Sequence, residues 1–149
     1  MTDLDTIFYN LPIGDFRKRM TALCESLREN HPVYDWIGLY WVEGDELVLG
    51  PWVGPHATEH ARIPISQGIC GAAVREAQTI IIDDVQEDPR YLACFLDTRS
   101  EIVVPIYSSG EIIGEIDIDG KEIGAFGEDD KRFLEEIAQR IGAEWPGRW

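Results

Sequence analysis

Apolar side chains recur along this chain in two rhythms, one helical and one extended, and their order predicts an architecture. Over residues 12–30, Phe16, Met20, Leu23, Cys24 and Leu27 fall on one face of a helix, with Pro12 suited to its first turn. Pro32 stops that helix. Trp36 to Val42 then alternates as a strand, and Glu43-Gly44-Asp45 turns it into a second, Glu46 to Trp52. A Pro/Gly-rich loop leads to a short extended segment, Arg62 to Ile65. Gly68 to Ala77 reads as a short helix and Thr79 to Ile82 as a β-branched strand. Residues 83–100 hold no period and are rich in Asp, Pro and Arg, a long loop that needs a reason. Glu101 to Tyr107 and Glu111 to Asp119 form a hairpin about Ser108-Ser109-Gly110. From about Glu128 a last helix aligns Phe133, Leu134, Ile137, Ile141 and Trp145, its acidic first turn matching the helix dipole. This order predicts a single α+β domain over residues 1–149. Its core is a central, mostly antiparallel β-sheet of about six strands, with the N- and C-terminal helices packed on one face.

The alternation also assigns faces. Trp36, Gly38 and Tyr40 share one side of the first strand, and the glycine leaves room between two aromatic rings for something flat or slender. Ordinary cross-strand aromatic packing accounts for the same spacing. In the last hairpin, a three-residue turn places Ile102, Val104 and Ile106 on the core side with Ile116, Gly114 and Ile112. Glu101 then falls opposite Asp117, with Asp119 two residues further on. Such a face can be a solvated one. Like charges directly opposite are destabilising, however, and a face chosen for solubility would mix in lysines. Three converging carboxylates suit a bound cation, a substrate amine or a shared proton with one raised pKa.

Composition narrows the partners. Against 28 Asp+Glu stand 13 Lys+Arg, a formal net charge of −15, which excludes a basic nucleic-acid-binding face or a polybasic membrane anchor. No signal peptide and no membrane span are predicted, so the expected location is cytoplasmic, where thiols stay mostly reduced. The three cysteines include no CxxC pair and have no histidines beside them, so no metal-ligand set is assigned. Cys24 shares the apolar stripe of its helix and reads as a core residue. Cys94 lies in the long loop near Arg90 and Arg99, and Cys70 at a helix start; nearby cations in one case, and the helix dipole in the other, favour a thiolate, while the small apolar flank of Cys94 equally suits a buried, inert thiol. His56-Ala57-Thr58-Glu59-His60 matches a zinc-protease string but sits in a proline-bounded loop, where coincidence explains it better.

Taken in order, several strings add up to a resemblance. Trp36-Ile37-Gly38-Leu39-Tyr40, Val48-Leu49-Gly50-Pro51, Arg62-Ile63-Pro64-Ile65, Gly68-Ile69-Cys70-Gly71, Leu92-Ala93-Cys94, Ser100 to Pro105 and Ile113-Gly114-Glu115-Ile116-Asp117-Ile118-Asp119 resemble the free methionine-(R)-sulfoxide reductases. These are GAF-domain enzymes, and the match covers nearly the whole chain. The resemblance implies Cys94 as nucleophile toward the sulfoxide sulfur and Cys70 as the thiol that resolves the resulting sulfenic acid as a disulfide. It also implies Glu101, Asp117 and Asp119 as holders of the substrate ammonium and source of a proton, and Trp36 and Tyr40 as walls for the S-methyl group. No bound cofactor is implied; the reductant is an external dithiol such as thioredoxin, and a homodimer is a further expectation. His60 or a loop neighbour stands where many members carry a third cysteine, Phe95 where an acid often follows the catalytic Cys, and Tyr91 where a His is usual. Competing classes are a non-catalytic GAF module sensing a small amine or amino acid, and a peroxide-sensing thiol protein. Neither needs both cysteines together with the carboxylates.

Overall fold

Two aspartates decide where the first helices begin. In the computed structural model, which describes residues 3–92 and 97–149, Asp3 accepts a hydrogen bond from the Thr6 amide ahead of α1 (Leu4–Tyr9). Asp15 does the same for the Lys18 amide at 2.8 Å ahead of α2 (Phe16–Asn30). The helix expected from residue 12 therefore starts at Phe16, and Pro12 stays outside it, its carbonyl accepting from Arg19. The six residues of α1 are too few to show a period, which is why the hydrophobic pattern misses it. At the other end of α2, His31 is extended (φ −133°) because the following Pro32 disfavours helical geometry.

The strands are β1 (Trp36–Glu43), β2 (Glu46–Val53), β3 (Arg62–Pro64), β4 (Ile80–Ile82), β5 (Ser100–Ser108) and β6 (Glu111–Gly120), with α3 (Gly68–Glu76) between β3 and β4 and α4 (Glu128–Glu144) at the end. They form one sheet in the order β3-β2-β1-β6-β5-β4 with every neighbour antiparallel. Pairing is irregular between Gly38 and Tyr40 of β1, opposite Pro51, which has no amide to give to the ladder. Inside the long loop a 3-10 turn (Val85–Glu87) is capped by Asp84. An Arg99–Asp84 ion pair at 3.2 Å and a Val85–Arg99 backbone bond tie that part of the loop back to the sheet.

The two sheet faces differ in kind. Behind it, Ile37, Leu39, Trp41, Ile102, Val104, Ile106, Ile116 and Ile118 pack against α2 and α4 in one apolar cluster. Cys24 lies within it, fully buried, its thiol pushed up to about 12 chiefly by desolvation. In front, α3 lays Ile69, Cys70, Ala72 and Ala73 against Trp36, Tyr40 and Val103. The N- and C-terminal helices share a face as expected, whereas α3 takes the opposite one. Gly71 sets how closely α3 folds back on the segment that leads into it: a Cβ there would overlap the Ile65 carbonyl oxygen. Among the described residues, no helix is long and apolar enough to cross a membrane.

The last hairpin corrects the expected register. Ser109 (φ 51°) and Gly110 (φ 81°) make a two-residue left-handed turn, so Ser108 pairs with Glu111. A bulge between Ile106 and Tyr107 shifts the ladder by one more residue. Glu101 therefore faces Asp119, and Asp117 faces Val103. The two shifts sum to an even number, so side chains beyond the bulge keep their predicted faces, whereas Ile112, expected on the core side with Ile106, pairs with Tyr107, and Ile113 packs against the back cluster instead.

Close contact between α4 and β5 is set by Gly142, where a Cβ would collide with the Tyr107 carbonyl oxygen. Alanine favours a helix over glycine by about 1 kcal/mol, but overpacking against rigid backbone costs about 1–3 kcal/mol. Gly142→Ala is expected to lower the urea midpoint of unfolding; a raised midpoint would show that α4 moves off the sheet freely.

Candidate active site

Period-two alternation on β6 turns Glu115, Asp117 and Asp119 to the front of the sheet, and register does the rest. Antiparallel pairing sets Tyr40 beside Glu115, Gly38 beside Asp117 and Trp36 beside Asp119 on one flank, with Glu101 beside Asp119 on the other. The four acids are at most 5% exposed. Cys70, in the first turn of α3, completes the group: its Sγ and one carboxylate oxygen each of Glu101 and Asp117 lie within 4.8 Å of one another. With Ile63 and Leu92 these side chains border a cavity of about 20 Å³, room for roughly one water.

Burial dominates the electrostatics. It pushes the Glu115 carboxyl well above the usual carboxylate range, with the Cys70 thiol pulling it partly back and the charge of Asp117 adding to the rise. Neither Glu115 oxygen meets a partner at full hydrogen-bond geometry, so the pull from Cys70 is the weaker influence. Asp117 and Asp119 are also raised, first by burial, while hydrogen bonding with Glu101 draws both back. Charge on Asp117, Asp35 and Asp97 lifts Asp119 further. Among the described residues no Lys or Arg pairs with Glu115, Asp117 or Asp119; Lys121 is engaged by Asp35 and Asp97, each at 3.6 Å. In the absence of a bound cation such a group must retain protons. Cys70 follows the same rule: burial, then the charges of Asp117, Glu115 and Glu101, hold its thiol well above the ordinary range. The thiolate expected from its place at a helix start is thereby overruled.

Trp36 and Tyr40 flank the group on β1, in register with Asp119 and Glu115. The Trp36 ring occupies the space that Gly38 leaves: a Cβ there would overlap it, as would one on Gly54. The vacancy inferred from the Trp-x-Gly-x-Tyr spacing is thus filled by the first aromatic itself. Trp36 Nε1 donates to the His56 carbonyl (3.2 Å) and the Tyr40 hydroxyl to the His60 carbonyl (2.8 Å), pinning the loop between β2 and β3 across both rings. His56, Glu59 and His60 lie in that loop and not on a helix, so the zinc-protease string lacks its required geometry.

The structure therefore brings together Cys70, Glu101, Asp117, Asp119, Trp36 and Tyr40. Cys94 lies outside the described residues. Among the described residues, Arg90 pairs with Asp88 and Glu76, and Arg99 with Asp84. Glu115 is the member that the sequence reading missed. The same alternation that selects Asp117 and Asp119 also selects Glu115, two positions earlier.

An antiparallel sheet with two long helices behind and one short helix in front encloses this group, and the fold is that of a GAF domain. The GAF-domain family model matches residues 15–143. A GAF domain-containing protein of Dictyostelium discoideum is 41% identical over 71% of this chain, which spans 66% of that relative's length, just under two thirds. The free methionine-R-sulfoxide reductase of Escherichia coli is 35% identical over 93% of this chain and 84% of its own. Its counterpart from Neisseria meningitidis, solved in complex with its substrate, superposes with a TM-score of 0.87 at 35% identity, covering 95% of this chain and 84% of that one. The chain belongs to the free methionine-R-sulfoxide reductase family of GAF-domain enzymes.

A carboxyl raised by burial stabilises the fold only while protonated. Its contribution is complete below the ordinary carboxylate range and is lost as pH rises through the raised value. Glu115→Gln preserves shape and removes that ionisation. It is expected to raise Tm at about pH 8, by roughly 2–4 °C per kcal/mol relieved, and to change it little at about pH 4. A lower Tm at the higher pH would mean that Glu115 is ionised and compensated.

Proposed function

We propose that this chain reduces free L-methionine-(R)-sulfoxide to methionine, with Cys94 as nucleophile and Cys70 as resolving thiol. The observation that carries the reading is the group of buried acids on the front of the sheet: it suits a ligand that brings its own positive charge. The ammonium of a free amino acid would be held by Glu101, Asp117 and Asp119, and a methionine within a polypeptide has no such amine to offer. The Neisseria meningitidis relative was solved with its substrate, which agrees with a substrate site in this fold.

The chemistry balances without a bound cofactor. The Cys94 thiolate attacks the sulfoxide sulfur, and an acid of the group, kept protonated by burial, supplies the proton that the oxygen needs. Oxygen passes to Cys94 as a sulfenic acid and methionine departs. Cys70 attacks that sulfur, its thiol proton leaves with the hydroxyl as water, and a Cys70–Cys94 disulfide forms. An external dithiol of the thioredoxin class then takes up the oxidation by exchange. Trp36 and Tyr40 would form the apolar wall beside the S-methyl group. The space now bordered by Cys70, Glu101 and Asp117 is too small for the substrate, so binding requires the front of the site to open.

Incubation with free methionine-(R)-sulfoxide and dithiothreitol should yield methionine, whereas the N-acetylated sulfoxide should be left largely intact. Cys94→Ser should lower turnover by at least about a thousandfold. Asp117→Asn, which removes one charge-assisted contact, should raise KM by roughly 10- to 100-fold. Equal turnover of both sulfoxides would overturn recognition through the amine, and unimpaired Cys94→Ser would overturn the nucleophile.

A further inference from the structure

The front of the sheet also offers a donor set for a ligand that the reaction above does not involve. Cys70 Sγ and one oxygen each of Glu101 and Asp117 already lie within 4.8 Å of one another, on three buried residues. Asp117, 3% exposed, borders the small cavity and leaves Oδ1 without a hydrogen-bond partner. Glu115, fully buried on the same face, leaves both oxygens without one. The cavity's volume of about 20 Å³ suits a single small occupant. Cysteine spacing alone argues against a zinc set, but the fold supplies carboxylates in place of further thiols.

We propose that Cys70, Glu101 and Asp117 bind a thiophilic divalent cation of the Zn²⁺ and Cd²⁺ class, with water in the remaining position. Zinc bonds of about 2.3 Å to sulfur and about 2.0–2.2 Å to oxygen put tetrahedral donors roughly 3.5 Å apart, so donors at the outer limit of their 4.8 Å spread would draw in by about an ångström. Binding expels the thiol proton, and any proton shared by the carboxyls, to solvent. The thiolate selects against Mg²⁺ and Ca²⁺, hard cations that prefer a shell of six or more oxygen donors. Cation and substrate amine would compete for the same carboxylates; that consequence rests on the reductase reading, whereas the binding itself does not.

Titration of the reduced protein with Cd²⁺, followed by the ultraviolet thiolate-to-cadmium charge-transfer band, tests the site, with Zn²⁺ ranked by competition. One equivalent should bind to the wild type and to Cys94→Ser, and equal Mg²⁺ should not displace it. Cys70→Ser should abolish the band, and Asp117→Asn should weaken binding by at least about 10- to 100-fold, the loss typical of removing even an outer partner. Circular dichroism checks both folds, and Glu101→Gln replaces Asp117→Asn if the latter does not fold. Absence of the band in wild type, its persistence in Cys70→Ser or its loss in Cys94→Ser overturns the site. Turnover without Cd²⁺ binding sinks the metal site and leaves the reductase reading standing; binding without turnover does the reverse.

Discussion

Everything on the front of this sheet follows from burying acids where no base accompanies them. An ionised carboxylate taken out of water costs several kcal/mol, against a net stability of about 5–15 kcal/mol for a whole domain. Glu115, Asp117 and Asp119 have no Lys or Arg partner among the described residues, and each is raised chiefly by desolvation. The fold can hold them only as a partly protonated group or around a visiting cation. That requirement makes the site receptive to positive charge, and in the proposed reaction it would leave a protonated acid to meet the departing oxygen.

The back of the sheet makes such a front affordable. Isoleucines and valines of β5 and β6 alternate with the acids residue by residue, so each strand that carries a carboxylate forward also drives an apolar side chain backward onto α2 or α4. Fully burying such a side chain is worth about 1.5–3 kcal/mol. Displacing a strand by one residue would therefore expose the core and bury the acids in it together. Register, stability and site are one constraint.

This coupling explains what was legible in the sequence. Faces were legible, because alternation is local: Ile102, Val104 and Ile106 had to oppose Glu101 whatever the turn did. Cross-strand partners were not, because the turn type depended on Ser109 accepting a left-handed φ and the ladder on a bulge that no residue pattern announces. The two errors cancelled in parity, so the site survived a wrong register. Glu115 escaped notice although its position obeys the same alternation, since a string ending in two aspartates drew the reading to them. The side of the sheet taken by α3 was illegible too, because its brief run of small and apolar residues fits either face. Nor could spacing tell that the room beside Gly38 is occupied by Trp36's own ring.

Cys70 is where local and tertiary influences conflict most clearly. A helix start offers the equivalent of about half a positive charge, which favours a thiolate. Opposing it are complete burial and three carboxyl groups on the strands beneath, and these prevail. A thiol kept protonated in this way makes a poor attacking nucleophile. In the proposed cycle that is an advantage, because Cys70 then does not compete with Cys94 for the sulfoxide. In that cycle its turn would come only once Cys94 had become a sulfenic acid, a far better electrophile. The proton it retains until then is the one needed to release the hydroxyl as water. On this argument the acids do more than receive an amine: by delaying one thiol, they set the order in which the two sulfurs act.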